Sequence, residues 1–224
     1  MIPLRDSNPT RTFPFVNYLL IGINVFVFLI EISMGKGMEK LIFYFGLIPS
    51  EFLSNIRSLD FGAGVFIPLI SSMFLHGGWM HLIGNMLFLH IFGDNVEDRF
   101  GHLKYFIFYL LAGFAAAFTQ IYVFPDSEVP MVGASGAIAG VLGAYVFMFP
   151  NARVVTLVPI FFFFEIIELP AFIFLGIWFM MQILSGMFAL GIGADAGGVA
   201  WWAHIGGFVT GAVLFPFLRK RSWR

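Results

Sequence analysis

Tyr105-Phe-Ile-Phe-Tyr-Leu-Leu-Ala-Gly-Phe-Ala-Ala-Ala-Phe-Thr-Gln-Ile-Tyr-Val-Phe124 runs for twenty residues without a charged side chain. A helix rises about 1.5 Å per residue, so this stretch covers roughly 30 Å, the hydrocarbon thickness of a bilayer. Its apolar residues do not alternate with polar ones, as those of a barrel strand would. In lipid every backbone N–H and C=O needs an internal partner, which a continuous apolar run finds as a helix. Phe13–Ile32 repeats the pattern with one acid, Glu31, near its end. The composition agrees: 59% of the 224 residues are hydrophobic and 11% charged, against about a quarter charged in soluble domains.

Working outward, hydropathy marks six candidate spans: Phe13–Ile32, Gly77–Phe92, Leu103–Phe124, Ser135–Phe149, Glu168–Leu190 and Trp201–Leu218. The expected fold is therefore an all-α polytopic membrane protein, a bundle of six transmembrane helices. The connection from Ser33 to Ser72 is too long for a structureless loop. Its own apolar run, Leu41–Ile48, predicts an interfacial segment on the outer leaflet. Val154–Phe164 is also apolar but is interrupted soon after by Glu165, Glu168 and Pro170, and is placed at the interface. The Gly- and Ala-rich connection Gly191–Ala200 is expected to be mobile. The first run is too long for a signal-peptide core and has no small-x-small cleavage site, so it reads as a retained span.

Orientation follows from the basic residues. With the N-terminus inside, the inner segments hold Arg5, Arg11, Arg99, Lys104, Arg153, Arg219, Lys220, Arg221 and Arg224, and the outer ones only Lys36, Lys40 and Arg57. Nine against three obeys the positive-inside rule, with both termini cytoplasmic. The net charge of −1 and the lack of a basic stripe leave no case for nucleic acid. The absence of cysteine excludes disulfides, thiol nucleophiles and thiolate metal sites. There is no His-Glu-x-x-His, and His76 and His81 are five apart and do not share a helix face, so neither metal nor cofactor is expected.

Polar groups inside spans are costly and are functional candidates for that reason. Three clusters qualify: His81-Leu-Ile-Gly-Asn85, Gly133-Ala-Ser-Gly-Ala-Ile-Ala-Gly140 and His204-Ile-Gly-Gly-Phe-Val-Thr-Gly211. In the six-span topology all three fall near the outer ends of their helices, at similar depth. Ser135 opens a helix, where free backbone N–H groups can bind a developing oxyanion. Gly136 and Gly140 fit simple helix packing equally well. His204 fits either a hydrogen bond to a neighbouring carbonyl or a base brought to Ser135 by Gly207 and Gly211. His81 and Asn85, four apart on one face, fit oxyanion donors or interhelical polar glue. His90 and His102 read as structural. The acid nearest His204 in sequence is Asp195, in the loop, which favours a dyad over a triad.

These residues together resemble the rhomboid family of intramembrane serine proteases. The likeness rests on His76-Gly-Gly-Trp-Met-His81 leading to Asn85, on Gly93-x-x-x-Glu97-x-x-x-Gly101, and on Gly133-x-Ser135-Gly136. It rests also on Ala203-His204-x-x-Gly207-x-x-x-Gly211 and on Phe45-Gly-Leu-Ile-Pro49 after the first span. The resemblance implies one rhomboid-like membrane domain over residues 1–224, with short cytoplasmic tails. It implies Ser135 as nucleophile and His204 as general base, with Asn85, His81 and the Ser135 N–H serving the oxyanion. The substrates would be transmembrane segments of other proteins, the solvent a lipid bilayer, and the setting a prokaryotic inner membrane. The alternative is a catalytically silent relative that binds such segments without cutting. Two positions depart from the family pattern. Ile67-Pro68 stands where Trp-Arg is common, and Ala139 where a Tyr usually stacks on the histidine, leaving Phe208 or Trp201 as candidates to hold His204.

Overall fold

The computed structural model describes residues 1–160, 163–193 and 198–220. It is mostly helical. The elements are strand β1 (Ile2–Asp6), helices α1 (Phe15–Ser33), α2 (Met38–Phe45), α3 (Pro49–Arg57), α4 (Ala63–Ser71), α5 (Trp79–Phe100), α6 (His102–Val123) and α7 (Ser135–Met148), strands β2 (Arg153–Ile160) and β3 (Phe163–Pro170), and helices α8 (Ala171–Ile192) and α9 (Trp201–Leu218). Among the described residues, α1, α6, α8 and α9 are long and apolar enough to cross a membrane, and α7 is a shorter apolar helix. The 22-residue α5 carries Asp94, Glu97, Asp98 and Arg99 in its last two turns. The chain is an integral, multi-pass membrane protein.

The expectation of an all-α fold needs correction. β1, β2 and β3 form an antiparallel sheet in that order, with Ile2 opposite Leu157 and Asp6 opposite Val154. The stretch read as interfacial is a hairpin, with Arg153 paired to Pro170 and Ile160 to Phe163. Its β-branched residues, Val154, Val155, Thr156, Val158, Ile166 and Ile167, suit a pleated strand, and Pro159 would break a helix. Pro159 lies beyond the last β1 pair, where β2 has an open edge and needs no donor. Consequently α8 starts at Ala171, after Pro170, rather than at Glu168. The connection after α1 is three short helices, α2 to α4, tied down by Leu47 and Met131, which exchange backbone hydrogen bonds of 3.0 and 2.9 Å. The Ser50 N–H also reaches the Ser127 carbonyl at 3.1 Å. These bonds anchor the connection that leads into α4, the helix that holds Ile67 and Pro68.

α7 is the axis of the bundle: every residue from Ala137 to Tyr145 is buried. It packs most extensively on α9, then on α6 and α5, whereas α8 lies at the periphery against α9. Glycines set the closest approaches. A Cβ at Gly207 would collide with the Gly136 carbonyl, and one at Gly211 with the Gly140 carbonyl. Small residues thus let two backbones touch, which is how helices associate where the solvent is as apolar as the side chains.

The sheet end of the bundle is held by carboxylates. Glu97, fully buried, accepts from the Val16 and Asn17 N–H groups at 2.9 and 2.7 Å and contacts His102 Nδ1 at 2.5 Å. These are first-turn donors of α1, which no helical carbonyl can reach and which a negative charge suits. Asn17 donates to the Leu89 carbonyl at 3.0 Å and accepts from Tyr105 Oη at 2.7 Å. A Cβ at Gly93 would strike Asn17, so the glycine belongs to the same joint. Asp98 accepts from Thr12 Oγ1 at 2.6 Å, and Asp6 accepts from the Tyr145 hydroxyl. The C-terminal residues Arg221 and Arg224 lie outside the described residues.

Candidate active site

α5, α7 and α9 all begin at the end of the bundle opposite the sheet, so their first turns meet there. His204 Nε2 lies 2.7 Å from Ser135 Oγ. His204 is 9% exposed and Ser135 is half-buried. The Gly136–Gly207 backbone contact sits one residue past Ser135 and three past His204, and fixes this approach. Ser135 is the first residue of α7, so its N–H has no carbonyl one turn back to bind.

His81 and Asn85 reach the same place from α5. Gly133, two residues before Ser135, has φ +122°, a backbone shape that favours glycine. A Cβ there would lie 2.6 Å from His81 Nε2 and 3.6 Å from Asn85 Nδ2. The Asn85 amide nitrogen is 3.0 Å from His76 Nε2, and His76 Nδ1 is 3.3 Å from the Phe74 carbonyl. A carbonyl only accepts, so the His76 proton sits on Nδ1 and Nε2 accepts from Asn85. One N–H of the Asn85 amide remains for another partner. Gly77 N–H points at His81 Nδ1 at 3.4 Å, leaving Nε2 as the protonated nitrogen facing Gly133. The His76 N–H is itself held by buried Glu31, at 3.1 and 3.2 Å from its two oxygens.

A cavity of about 40 Å³ adjoins Ser135, lined by Gly113, Ala116, Ala117, Gly133 and Gly136 among others. Small residues predominate in that lining, with Met73, Met131 and Val132 beside them. A larger cavity of about 130 Å³ is lined by His81, Gln120 and Val199 among others.

Four of the site residues expected from sequence, Ser135, His204, Asn85 and His81, therefore converge. His90 stands apart, its ring 6.0 Å from that of Tyr18, and His102 belongs to the Glu97 joint. Asp195 lies outside the described residues, as do the other positions of 194–197 in the α8–α9 connection. Of the two aromatics considered for holding His204, Trp201 meets the imidazole edge-on at 6.2 Å, whereas Phe208 stacks on Phe179 at 4.2 Å. Sequence reasoning missed Trp178, whose ring is 6.0 Å from that of His204 at 35°. It also missed Gln182, whose Oε1 is 2.8 Å from His204 Nδ1. Gln120 was missed too; its Oε1 accepts from the Ala203 N–H at 3.3 Å in the first turn of α9. The signal was present, since both glutamines are lone amides inside apolar spans. Among the described residues no cluster of side chains could hold a metal ion.

A helical membrane protein whose serine and histidine meet between two helix starts defines a narrow class. The family model for the Rhomboid domain matches residues 63–221, well over half of the chain; the chain belongs to the rhomboid family. Rhomboid protein 1, mitochondrial, of Saccharomyces cerevisiae is 27% identical over 207 residues, covering 91% of this chain and 53% of that protein. RHOMBOID-like protein 4 of Arabidopsis thaliana is 33% identical over 152 residues, 65% of this chain and 32% of its own length. Rhomboid protease GluP of Bacillus subtilis is 30% identical over 145 residues, 64% of this chain and 25% of its own. The chain spans between a quarter and about half the length of the curated relatives it matches. Because mitochondrial and chloroplastic proteins stand among those relatives, they do not support the expected prokaryotic inner membrane over another membrane.

Proposed function

We propose that this protein is an intramembrane serine endopeptidase with Ser135 as nucleophile and His204 as general base, acting on transmembrane segments of other membrane proteins. The observation that carries the reading is the 2.7 Å approach of His204 Nε2 to Ser135 Oγ. A serine hydroxyl becomes a competent nucleophile when a neighbouring base takes its proton. Family membership supports the class, and one relative carries the name of a protease.

In this mechanism Ser135 Oγ attacks the scissile carbonyl carbon while its proton passes to His204 Nε2. The carbonyl π electrons move onto oxygen, where the Asn85 amide, the His81 Nε2–H and the Ser135 N–H are available to receive the charge. Collapse returns those electrons, breaks the C–N bond and sends the Nε2 proton to the leaving amine. A water then repeats the sequence on the acyl-enzyme. The cavity beside Ser135 favours a small residue at the cleavage point. Substrate helices must unwind to present a carbonyl, so helix-weakening residues are favoured as well.

We read α1, α5, α6, α7, α8 and α9 as six spans of one membrane domain, both termini cytoplasmic, in keeping with the nine-to-three charge asymmetry. A silent relative that only binds helices has no use for a serine hydroxyl against an imidazole nitrogen. The deciding experiment is labelling of purified protein by a fluorophosphonate probe, together with cleavage of a transmembrane substrate. Wild type should label and cut; Ser135→Ala and His204→Ala should do neither while remaining folded. Cleavage by purified Ser135→Ala would sink the proposal.

A further inference from the structure

We infer that Gln182 is a positioning residue that holds His204 in the tautomer protonated on Nδ1, so that Nε2 is the nitrogen free to take the Ser135 proton. The inference rests on the proposed peptidase reading. Its observation, the chain of hydrogen bonds leading from α8 to Ser135, is independent of it.

The chain has a direction. Gln182 Nε2 lies 3.2 Å from the Trp178 carbonyl, which can only accept. That bond assigns the amide, because turning it over would set two acceptor oxygens against each other. Gln182 Oε1 therefore faces His204 Nδ1, at 2.8 Å, and an oxygen there requires a proton on Nδ1. A neutral imidazole carries one proton, so Nε2 keeps its lone pair, and Nε2 is the atom at 2.7 Å from Ser135 Oγ. From the backbone of α8 to the serine hydroxyl, each group has one role.

The local setting favours this role over that of helix glue. Gln182 is 5% exposed and His204 9%, so the bond lies inside the bundle. Trp178 and Gln182 are four apart and share one face of α8. That face delivers both a ring and an acceptor to His204, on a histidine whose usual aromatic partner on α7 is replaced by Ala139. A neutral amide is the acceptor that costs least here, because an aspartate at the same place would bring a charge into the bundle. When the imidazole takes the serine proton, both its nitrogens carry hydrogen, and Oε1 continues to accept from Nδ1. Gln182 gains and loses no proton in the cycle.

The test combines spectroscopy with kinetics. Nitrogen-15 spectra of ring-labelled histidine should show wild-type His204 protonated at Nδ1 and bare at Nε2. Gln182→Leu, close in size and apolar, should shift that ring toward a mixture of tautomers. It should lower kcat about tenfold with KM unchanged, the worth of one buried hydrogen bond. Gln182→Glu, which in its protonated form reproduces both bonds, should recover most of the rate. A wild-type ring protonated on Nε2, or a Gln182→Leu enzyme with wild-type kcat per folded molecule, overturns the inference. If Gln182→Leu fails to fold, the wild-type spectrum and the rate of Gln182→Glu decide instead. An inactive wild type that does not label would defeat the peptidase reading alone, because the spectrum needs no turnover.

Discussion

The carbonyl of Gly136 lies against Gly207 so closely that neither a methyl group nor any larger side chain fits on Gly207. Gly136 follows Ser135 and Gly207 comes one turn after His204, so this backbone contact sets the distance between the two polar groups. Van der Waals contact between glycines is thereby coupled directly to the geometry of the proposed dyad.

Gly207→Ala should therefore separate Ser135 from His204. Displacements of about 1 Å at a reacting pair cost roughly 10²-fold in rate, and a loss of that size is expected with the protein still in the membrane. Gly84→Ala is the control, because a Cβ there meets nothing within 4 Å. Turnover of the two variants, normalised to folded protein, checks the expectation. Equal activity in both would show that the contact does not govern the pair.

Asn85 separates a transition-state contact from a packing contact. Its amide nitrogen serves His76 with one hydrogen and has one left. Asn85→Ala should reduce kcat by roughly 10²–10³-fold, the cost of deleting one oxyanion donor elsewhere, and leave KM nearly unchanged. A lower melting temperature will accompany this, since His76 loses a partner. An intact rate constant in the folded fraction would reassign Asn85 to the His76 network.

Glu97 is the reverse case, a stabilising group at the far end from Ser135. Glu97→Gln replaces an acceptor of three donors with an amide that turns an N–H toward one of them. Stability should fall by about 1–3 kcal/mol, the penalty for a buried donor without a partner. The rate constant per folded molecule should stay at the wild-type value. Thermal melts and turnover measured side by side test both halves.

Asp6 links the sheet to pH. Burial, helped by the nearby Asp94 carboxylate, raises its pKa from 3.8 to about 6, although the Tyr145 hydroxyl favours the charged form. A raised folded-state pKa means that the protonated acid stabilises the fold. That contribution is complete below the ordinary carboxylate range and is lost as pH rises through about 6. Hydrogen exchange at the β1 amides should therefore quicken beyond its intrinsic increase as pH rises from 3.8 to about 6, and follow the intrinsic increase above that. Asp6→Asn should remove the dependence, and an unchanged profile in that variant would exclude Asp6 as its source.

Sequence reading placed the helices well because hydropathy is a local property: Tyr105–Phe124 announces α6 without reference to anything else. Helix direction put Ser135 and His204 near the same bundle end, and the family resemblance paired them. It failed at β1, whose mixed segment Ile2–Asp6 becomes a strand only through Val154–Leu157, far along the chain. No periodicity within five residues can report such a partner. It failed at Gln182 for a related reason. The amide was visible in an apolar span, but its target His204 lies on another helix, and spacing along one helix says nothing about which neighbour is faced. The departure at Ala139 was legible as a missing ring; that Trp178 on α8 supplies one was not.

The placement of Ser135 on α7 and His204 on α9 has a consequence for biogenesis. The two lie 69 residues apart in the chain, and translation at about 5–20 residues per second puts roughly 3–14 s between their appearances. Throughout that interval the serine hydroxyl stands in a nascent bundle without the histidine proposed as its base. Only α9, inserted against the glycines of α7, completes the pair, so under the proposed reading a chain interrupted before α9 would be inert towards its neighbours in the membrane.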